Sequence, residues 1–300
     1  SSVESCREYG RYLGKRYGGL NNVIWVAGGD HNPDDVRAQM LALVNGIREV
    51  NASQLWTAHC VRENSAADQY GDQPWLTINS TYAGQDIADK CLRDFLREPV
   101  RPSFLSEAYY ENEPHGNEGP MTPDDTRKQA WLAALSGTCG QFFGNRPIWL
   151  FEKGWLSALD SAGARYQSYL RKCLLSRHWE DLVPETSARL LPLGLGAGRN
   201  RRVAAMSLDK LTALIYLPVG AELSVELPLF QGPEVQTWWF NPRDGSNRSA
   251  GRFPTNSRHT FSPPDGKDWV LVLDSGARDV PPPGTQNIFS VSTTTKLTNQ

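Results

Sequence analysis

Strand and helix patterns alternate along roughly the first 180 residues of this chain. Apolar residues at helical spacing predict helices over residues 4–17, 34–49, 87–98, 124–136 and 159–176. Short apolar runs predict strands between these helices, near residues 23, 103 and 140 and over residues 55–59 and 75–79, and Thr122 is the expected cap of the helix over 124–136. Such alternation predicts an α/β fold with a parallel sheet and right-handed crossovers. Because five strands cannot close an eight-stranded barrel, we expect three preceding strand–helix units to be missing or to lie on another polypeptide.

The pattern changes near residue 185. Short strands are predicted near residues 202, 212, 223, 235, 259 and 269, with turn sequences such as Asn241-Pro-Arg-Asp-Gly245 between them. This spacing is typical of an antiparallel β-sandwich. The expected domains are therefore an α/β part over 1–184, a sandwich over 185–275 and an extended Pro- and Ser/Thr-rich tail over 276–300.

Composition excludes several classes of protein. The chain has 31 basic and 33 acidic residues, so a net charge of −2 gives no basic excess for nucleic-acid binding. No apolar run reaches the length of a membrane span, and the first residues form a polar helix pattern rather than a signal peptide. The five cysteines are widely spaced, which argues against a structural zinc site and favours buried free thiols. We expect no metal and no cofactor.

Two predicted strands end in a carboxylate. The run Val23-Ile-Trp-Val-Ala-Gly-Gly-Asp30 reads as a strand buried on both faces, and Asn32-Pro33 after it reads as the start of a helix. The run Arg101-Pro-Ser-Phe-Leu-Ser-Glu107 repeats the pattern. Catalytic groups of parallel barrels lie at this end of the strands, and two carboxylates there are the minimum for glycoside hydrolysis.

Each acid also has a structural interpretation. Asp30 could be a loop or helix-capping acid, and Glu107 could form a salt bridge with an arginine such as Arg127. Glu111 is either a third acid of the site or a solvated side chain.

These motifs together resemble the apiosidase-like glycoside hydrolases. The resemblance covers residues 9–275 and rests on the two acid motifs, on Thr57-Ala-His59, and on Trp238-Trp-Phe-Asn-Pro-Arg-Asp-Gly245 in the second part. It implies a (β/α)8 TIM barrel, here lacking its first strands, followed by a small β-sandwich once named for collagen binding. It also implies a secreted or periplasmic location.

The resemblance also implies roles for the two acids. Asp30 would be the general acid/base and Glu107 the nucleophile of a retaining glycosidase acting on plant cell-wall polysaccharide or oligosaccharide, with apiose as one possible released sugar. One motif departs from the family, because His59 is followed by Cys60 where proline is usual.

Six further residues are candidates for substrate binding. They are His59, Asn79, Tyr109, Tyr110, Trp149 and Trp155. His59 could bond a sugar hydroxyl, hold a carboxylate or be a core histidine, and Asn79 could bind a hydroxyl at a strand end or cap a turn. The tryptophans are candidate sugar platforms.

Two other functions remain open at this point. The chain could be a non-catalytic carbohydrate- or matrix-binding protein, or an inactive fragment that needs the N-terminal half of its barrel.

Overall fold

The computed structural model describes residues 1–116, 119–196, 201–285 and 288. The helices of these residues are α1 (Val3–Tyr17), α2 (Arg37–Val50), α3 (Ala66–Tyr70), α4 (Ile87–Phe95), α5 (Pro123–Ala134), α6 (Arg146–Trp149), α7 (Trp155–Ala158) and α8 (Ala162–Leu175). The strands are β1 (Ile24–Gly28), β2 (Leu55–His59), β3 (Asn79–Tyr82), β4 (Ser103–Glu107), β5 (Leu182–Pro184), β6 (Val203–Ser207), β7 (Thr212–Leu217), β8 (Leu223–Glu226), β9 (Glu234–Phe240), β10 (Asn247–Pro254), β11 (Arg258–Phe261) and β12 (Trp269–Ser275). In the described part of the chain, no helix combines the length and apolarity needed to cross a membrane.

The chain divides into two compact units, residues 1–159 and 160–300. Helix α8 therefore belongs to the same unit as the antiparallel strands, whereas the sequence pattern grouped it with the α/β part. The division into domains at residues 184 and 275 stays a prediction. Of the predicted tail, residues 276–285 form turns and irregular backbone, and residues 286–287 and 289–300 lie outside the described part.

All paired strands of the first unit are parallel. Strands β1 and β2 pair from Ile24 opposite Leu55 to Gly28 opposite His59, and β3 pairs with β4. Beyond β4, Leu105 forms a parallel bridge with Gln141. These segments follow each other in chain order and are separated by helices, as the alternation predicted. A complete eight-stranded barrel is not formed by the described residues.

Several local predictions are wrong. Strand β3 spans 79–82 rather than 75–79. Residues 137–144 are not a regular strand, although their backbone lies beside β4, with a bridge between Gln141 and Leu105 and hydrogen bonds to Ser103 and Leu105. Helix α2 begins at Arg37 without a side-chain cap, so Asn32 does not start it. Strand β1 is not buried on both faces, since Ile24 is 52% and Val26 57% exposed.

Helices α1 and α2 touch at glycines. A Cβ atom on Gly10 would lie 2.2 Å from the carbonyl oxygen of Leu43, and one on Gly46 would lie 2.2 Å from that of Arg7. The missing side chains let the two backbones approach closely. Val44 and Ile47 of α2 then pack in one apolar cluster with Trp56 of β2, which fixes the helix layer on this pair of strands.

The described residues of the second unit form two antiparallel sheets. Strands β10, β9, β12, β7, β6 and β5 form a six-stranded sheet in that order, and β11 pairs with β8. Residues of both sheets share one apolar core, in which Leu223 and Phe261 of the small sheet meet Ile215 and Trp239 of the large sheet. The predicted antiparallel architecture is confirmed. Sequence patterns missed β5, which is only three residues long, and β10, whose sequence Asn-Arg-Ser-Ala-Gly-Arg-Phe-Pro is mostly polar because it is an edge strand.

The five cysteines are free thiols. Cys60, Cys91 and Cys173 are buried as expected, whereas Cys6 is half-buried and Cys139 is exposed.

Candidate active site

Three strand ends bring the candidate residues together. Strand β2 ends at His59 and β4 at Glu107, while Asp30 follows the end of β1 by two residues. Because parallel strands present their carboxyl ends at one edge, these side chains reach the same place. The sequence analysis placed Asp30 and Glu107 at this edge, and the structure does so too.

Gly28 allows Asp30 to turn toward β2. Its φ is +92°, and a Cβ atom there would lie 2.5 Å from the carbonyl oxygen of His59. A side chain is therefore excluded both by conformation and by space. The next residues form a tight turn in which the His31 amide donates to the Gly29 carbonyl at 2.8 Å.

An irregularity in β4 directs Glu107. Thr81 pairs with Leu105, but the next residue, Tyr82, pairs with Glu107, so Ser106 is an extra residue on β4. Strict alternation would put Glu107 on the same face as Leu105, which is fully buried under the helices. The bulge changes this alternation, and the carboxylate instead meets His59.

His59 lies between the two carboxylates. Its Nε2 is 2.7 Å from Glu107 Oε2 and 3.5 Å from Asp30 Oδ1. One ligand atom from each of the three side chains lies within 4.8 Å of the others. The side chains of His59 and Glu107 are 23% and 17% exposed, whereas that of Asp30 is 73% exposed. Of the possibilities for His59, holding a carboxylate is the one that the geometry supports.

Glu107 is held as a carboxylate by several donors. Burial raises its pKa, but hydrogen bonds from His59, Tyr110 and Tyr82 outweigh burial and hold the pKa below its ordinary value. Conversely, the hydrogen bond to Glu107 raises the pKa of His59 despite partial burial. Burial and the bond to Glu107 raise the pKa of Tyr110, so its hydroxyl stays a neutral donor.

Arg62 and Tyr109 extend the site. The Arg62 guanidinium lies over the rings of Tyr82 and Tyr109, at 5.5 and 5.2 Å from their centroids. Its Nε donates to the Tyr82 hydroxyl at 3.3 Å. This exposed positive charge is thus oriented by two aromatic rings beside Glu107.

Two glycines and one glutamine fix the tyrosines after β4. A Cβ atom on Gly144 would lie 2.2 Å from the Tyr110 ring, and one on Gly84 would lie 2.3 Å from the Tyr109 ring. The buried side chain of Gln129 accepts from the Tyr109 amide and donates to its carbonyl, both at 3.0 Å. The rings therefore have little freedom to leave the site.

The predicted platform tryptophans differ in placement. Trp149 is 51% exposed and meets the Tyr110 ring edge-on at 6.3 Å, so it adjoins the group that bonds Glu107. Trp155 packs on Phe151 at 5.4 Å.

Asn79 is not brought to this edge. It begins β3, at the amino end of the strand, and its buried Oδ1 accepts from the Ala67 amide at 2.9 Å. The expectation that a strand ends at Asn79 is wrong, and the proposed contact with a sugar hydroxyl gains no support from this placement.

Other acids and arginines also have clear positions. Glu111 is buried rather than solvated, and Asn145 Nδ2 lies 3.5 Å from its Oε2. Arg127 pairs with Asp124 at 2.7 Å, whereas Glu107 bonds His59. Sequence reasoning missed Tyr82 and Arg62. The register of β3 was the missing signal, because Tyr82 is the carboxyl end of that strand.

The carboxylates and imidazole of Asp30, His59 and Glu107 are also groups that bind cations. A second such group, His178, Glu180 and Asp181, is exposed. That the protein needs no metal or cofactor stays a prediction.

Two carboxylates and a histidine at the carboxyl edge of parallel strands are groups that hydrolases commonly use. Residues 1–181 match the family model "Apiosidase-like, catalytic domain", and residues 194–274 match "Putative collagen-binding domain of a collagenase". The chain belongs to the apiosidase-like family. It is therefore a glycosidase, and its substrate is a carbohydrate.

Solved structures agree with this assignment. A structure described as a glycoside hydrolase has a TM-score of 0.85 and 24% identity, over 93% of this chain and 70% of its own. A family 5 glycoside hydrolase from Bacteroides vulgatus ATCC 8482 has a TM-score of 0.86 and 23% identity, over 96% of this chain and 69% of its own. At such identities the likeness establishes the fold. No protein of curated function matches the sequence.

The ionisation of His59 can be measured directly. We expect its imidazole to titrate above the ordinary value of about 6.5 in the native protein. In Glu107→Gln the pKa should fall, because the carboxylate that raises it is gone while burial remains. NMR titration of the histidine rings, with His59→Gln to identify the signal, measures both values. An unchanged pKa in Glu107→Gln would contradict the pairing.

The same pair makes stability depend on pH. The contribution from the raised His59 pKa is full below about 6.5 and is lost as pH rises through the folded-state pKa. The contribution from the lowered Glu107 pKa is present above about 4.3 and is lost as pH falls through its folded-state value. His59→Gln should therefore lower Tm most near pH 5.5 and less at pH 9.

Gly144 offers a test of tyrosine positioning. Gly144→Ala should push the Tyr110 ring away from Glu107, raise the Glu107 pKa and move the acid limb of the kcat/KM profile to higher pH. Gly140→Ala is the matched control, because a Cβ atom there meets nothing within 4 Å. Identical pH profiles for the two variants would show that Gly144 does not position Tyr110.

Proposed function

We propose that this protein is a retaining glycoside hydrolase with Glu107 as nucleophile and Asp30 as general acid/base. The observation that carries the proposal is the spacing of the two carboxylates, whose nearest ligand atoms lie within 4.8 Å. Retaining glycosidases place their carboxyl groups about 5–5.5 Å apart, whereas inverting enzymes need about 6.5–9.5 Å to admit a water. The shorter spacing favours direct attack by one carboxylate.

The surroundings of the two acids support the assignment of roles. Glu107 is partly buried, accepts bonds from His59, Tyr82 and Tyr110, and has a lowered pKa, as an ionised nucleophile requires. Asp30 is far more exposed and follows the end of β1, where it can reach both a leaving group and water.

The reaction then has two steps. Glu107 attacks the anomeric carbon while Asp30 gives its proton to the glycosidic oxygen, which breaks the bond to the leaving group. Asp30 next takes a proton from water, which attacks the same carbon and releases Glu107. His59 keeps Glu107 oriented and compensates its charge, so we assign it a positioning role within the substrate-binding set.

We further propose plant cell-wall polysaccharides or oligosaccharides as substrates, with apiosidase-like specificity. Family membership suggests this class. The rings of Tyr109, Tyr110 and Trp149 supply aromatic surface for sugar rings near the site, and we keep Trp155 as a further proposed platform. A polymeric extracellular substrate would place the protein in a secreted or periplasmic location.

Separate substitutions of the two acids test the mechanism. With an aryl β-apioside carrying a dinitrophenyl leaving group, Asp30→Asn should retain glycosylation, since such a group needs no proton. With a poor leaving group its kcat/KM should fall by about 10²–10⁴-fold. Glu107→Gln should lose turnover of both substrates. A panel of aryl xylosides and arabinosides under the same conditions checks the sugar preference.

Azide distinguishes the two roles. Azide added to Asp30→Asn should give a glycosyl azide of retained configuration, and azide added to Glu107→Ala one of inverted configuration. If Asp30→Asn gave the inverted azide and Glu107→Ala the retained one, the roles of nucleophile and general acid/base would be reversed. Undiminished substrate binding with no turnover, both in this chain and in a longer form that carries preceding strand–helix units, would instead favour a non-catalytic carbohydrate- or matrix-binding protein.

We propose, in addition, that further strand–helix units complete a (β/α)8 barrel against β1. Ile24, Val26 and Leu55 form an apolar face of β1 and β2 that is 52%, 57% and 48% exposed. Parallel sheets are normally covered on both faces. Among the described residues β1 pairs only with β2, which leaves its other edge for an incoming parallel strand.

An engineered charge tests this second proposal. Val26→Arg should change Tm of the present chain little, because the side chain is exposed. In a longer form that carries preceding strand–helix units, the same change should abolish the gain in kcat/KM that those units provide. Full activity of the present chain alone would contradict the need for an N-terminal half of the barrel.

A further inference from the structure

The second unit contains a cavity between its two sheets. The cavity has a volume of about 280 Å³, close to the lower end of small-molecule sites. Arg248, Ala250 and Phe253 of β10 line one side, and His259 and Phe261 of β11 line the other. We call these five residues the β10–β11 groove.

A bulge in β10 builds one wall of the groove. Arg248 pairs with Trp239 and Phe253 pairs with Val235, with the register shifted between Ser249 and Gly251. Trp239 and Val235 both belong to the core between the sheets, and cross-strand partners share a face. The extra residue therefore puts both Arg248 and Phe253 on the face of the strand that carries Trp239 and Val235, which strict alternation would not allow, and Arg248 is exposed at the mouth of the groove.

Strand β11 places a histidine where its pattern calls for an apolar residue. His259 pairs with Val225, and Phe261 pairs with Leu223. The three apolar residues of these two pairs, Val225, Phe261 and Leu223, are buried. The imidazole lies 3.8 Å from the Phe253 ring and 4.7 Å from the Phe261 ring. Burial lowers the pKa of His259, so the neutral ring can donate with one nitrogen and accept with the other.

The two polar side chains of the groove, Arg248 and His259, are available to a ligand. Within the described ranges, the Arg248 guanidinium has no ion pair or hydrogen bond, and the His259 nitrogens have no hydrogen bond. The neighbouring arginines are paired, Arg252 with Glu234 and Arg258 with Glu226. Ser262, which also lines the cavity, donates to the Glu222 carboxylate at 2.9 Å.

We propose that the β10–β11 groove binds a sugar unit that carries a carboxylate, as in an acidic polysaccharide. Arg248 is suited to bidentate pairing with the carboxylate. The Phe253 and Phe261 rings offer apolar surface to the C–H face of the sugar, and His259 meets a hydroxyl. This site is separate from the Asp30–Glu107 pair and does not depend on the proposed mechanism.

Arginines on opposite faces of one strand provide the test. Isothermal titration of the Glu107→Gln protein with tri-galacturonate should give saturable binding, and the fully methyl-esterified trimer should bind far more weakly. Arg248→Gln should weaken binding of the acid by about tenfold or more, the range expected for loss of a charge-assisted pair. Arg252→Gln removes the same charge from the outer face and should leave Kd within about twofold.

His259→Phe gives a second, independent measurement. It keeps the ring packing and should weaken binding of both trimers without lowering Tm. Equal losses in Arg248→Gln and Arg252→Gln would overturn the proposal in favour of non-specific attraction. Unchanged binding in Arg248→Gln, with new self-association on size exclusion, would also overturn it, since an inward arginine can serve instead to keep an edge strand from pairing.

Discussion

The hydrogen bond between His59 and Glu107 is the contact on which the site depends. It is 2.7 Å long and joins the ends of β2 and β4. Its two side chains are both partly buried, and one is a base while the other is an acid. Burial alone would favour neutral forms of both groups. The hydrogen bond between them acts against burial, because it raises the pKa of His59 and, together with the hydrogen bonds that Tyr82 and Tyr110 donate to Glu107, lowers the pKa of Glu107.

The local irregularities of the first unit serve this contact. Gly28 adopts a conformation closed to other residues and lets Asp30 turn over β2, while the extra residue Ser106 re-aims Glu107. Gly144 makes room for the Tyr110 ring. The regular strands bring the site residues to one edge, and the positions at which the regular pattern breaks orient their side chains. The β10 bulge in the second unit follows the same logic, because it turns Arg248 and Phe253 to one side.

Much of this arrangement was predictable from the sequence. Strand Leu55–His59 has its predicted bounds, Glu107 ends its strand, and Thr122 caps α5 through a capping box with Asp125. Apolar runs and caps are local signals, so they can be recognised without knowledge of tertiary contacts.

The boundary of β3 could not be predicted in this way, because its residues Asn-Ser-Thr-Tyr carry no apolar run and are buried by their neighbours. Tyr82 was missed for that reason, and the role of Gly144 depends on a contact with a ring 34 residues away in the chain. The exposed face of β1 was missed because an apolar run predicts burial whether or not its partner is present.

The most direct test of the account is to trap the glycosyl-enzyme. A 2-deoxy-2-fluoro apioside with a dinitrophenyl leaving group should form a stable ester, visible as a mass increase of the intact protein. Peptide mapping should place the label on Glu107, and Glu107→Gln should remain unlabelled. A label on Asp30 or Glu111, or hydrolysis that inverts the anomeric centre, would contradict the assignment of Glu107 as the nucleophile.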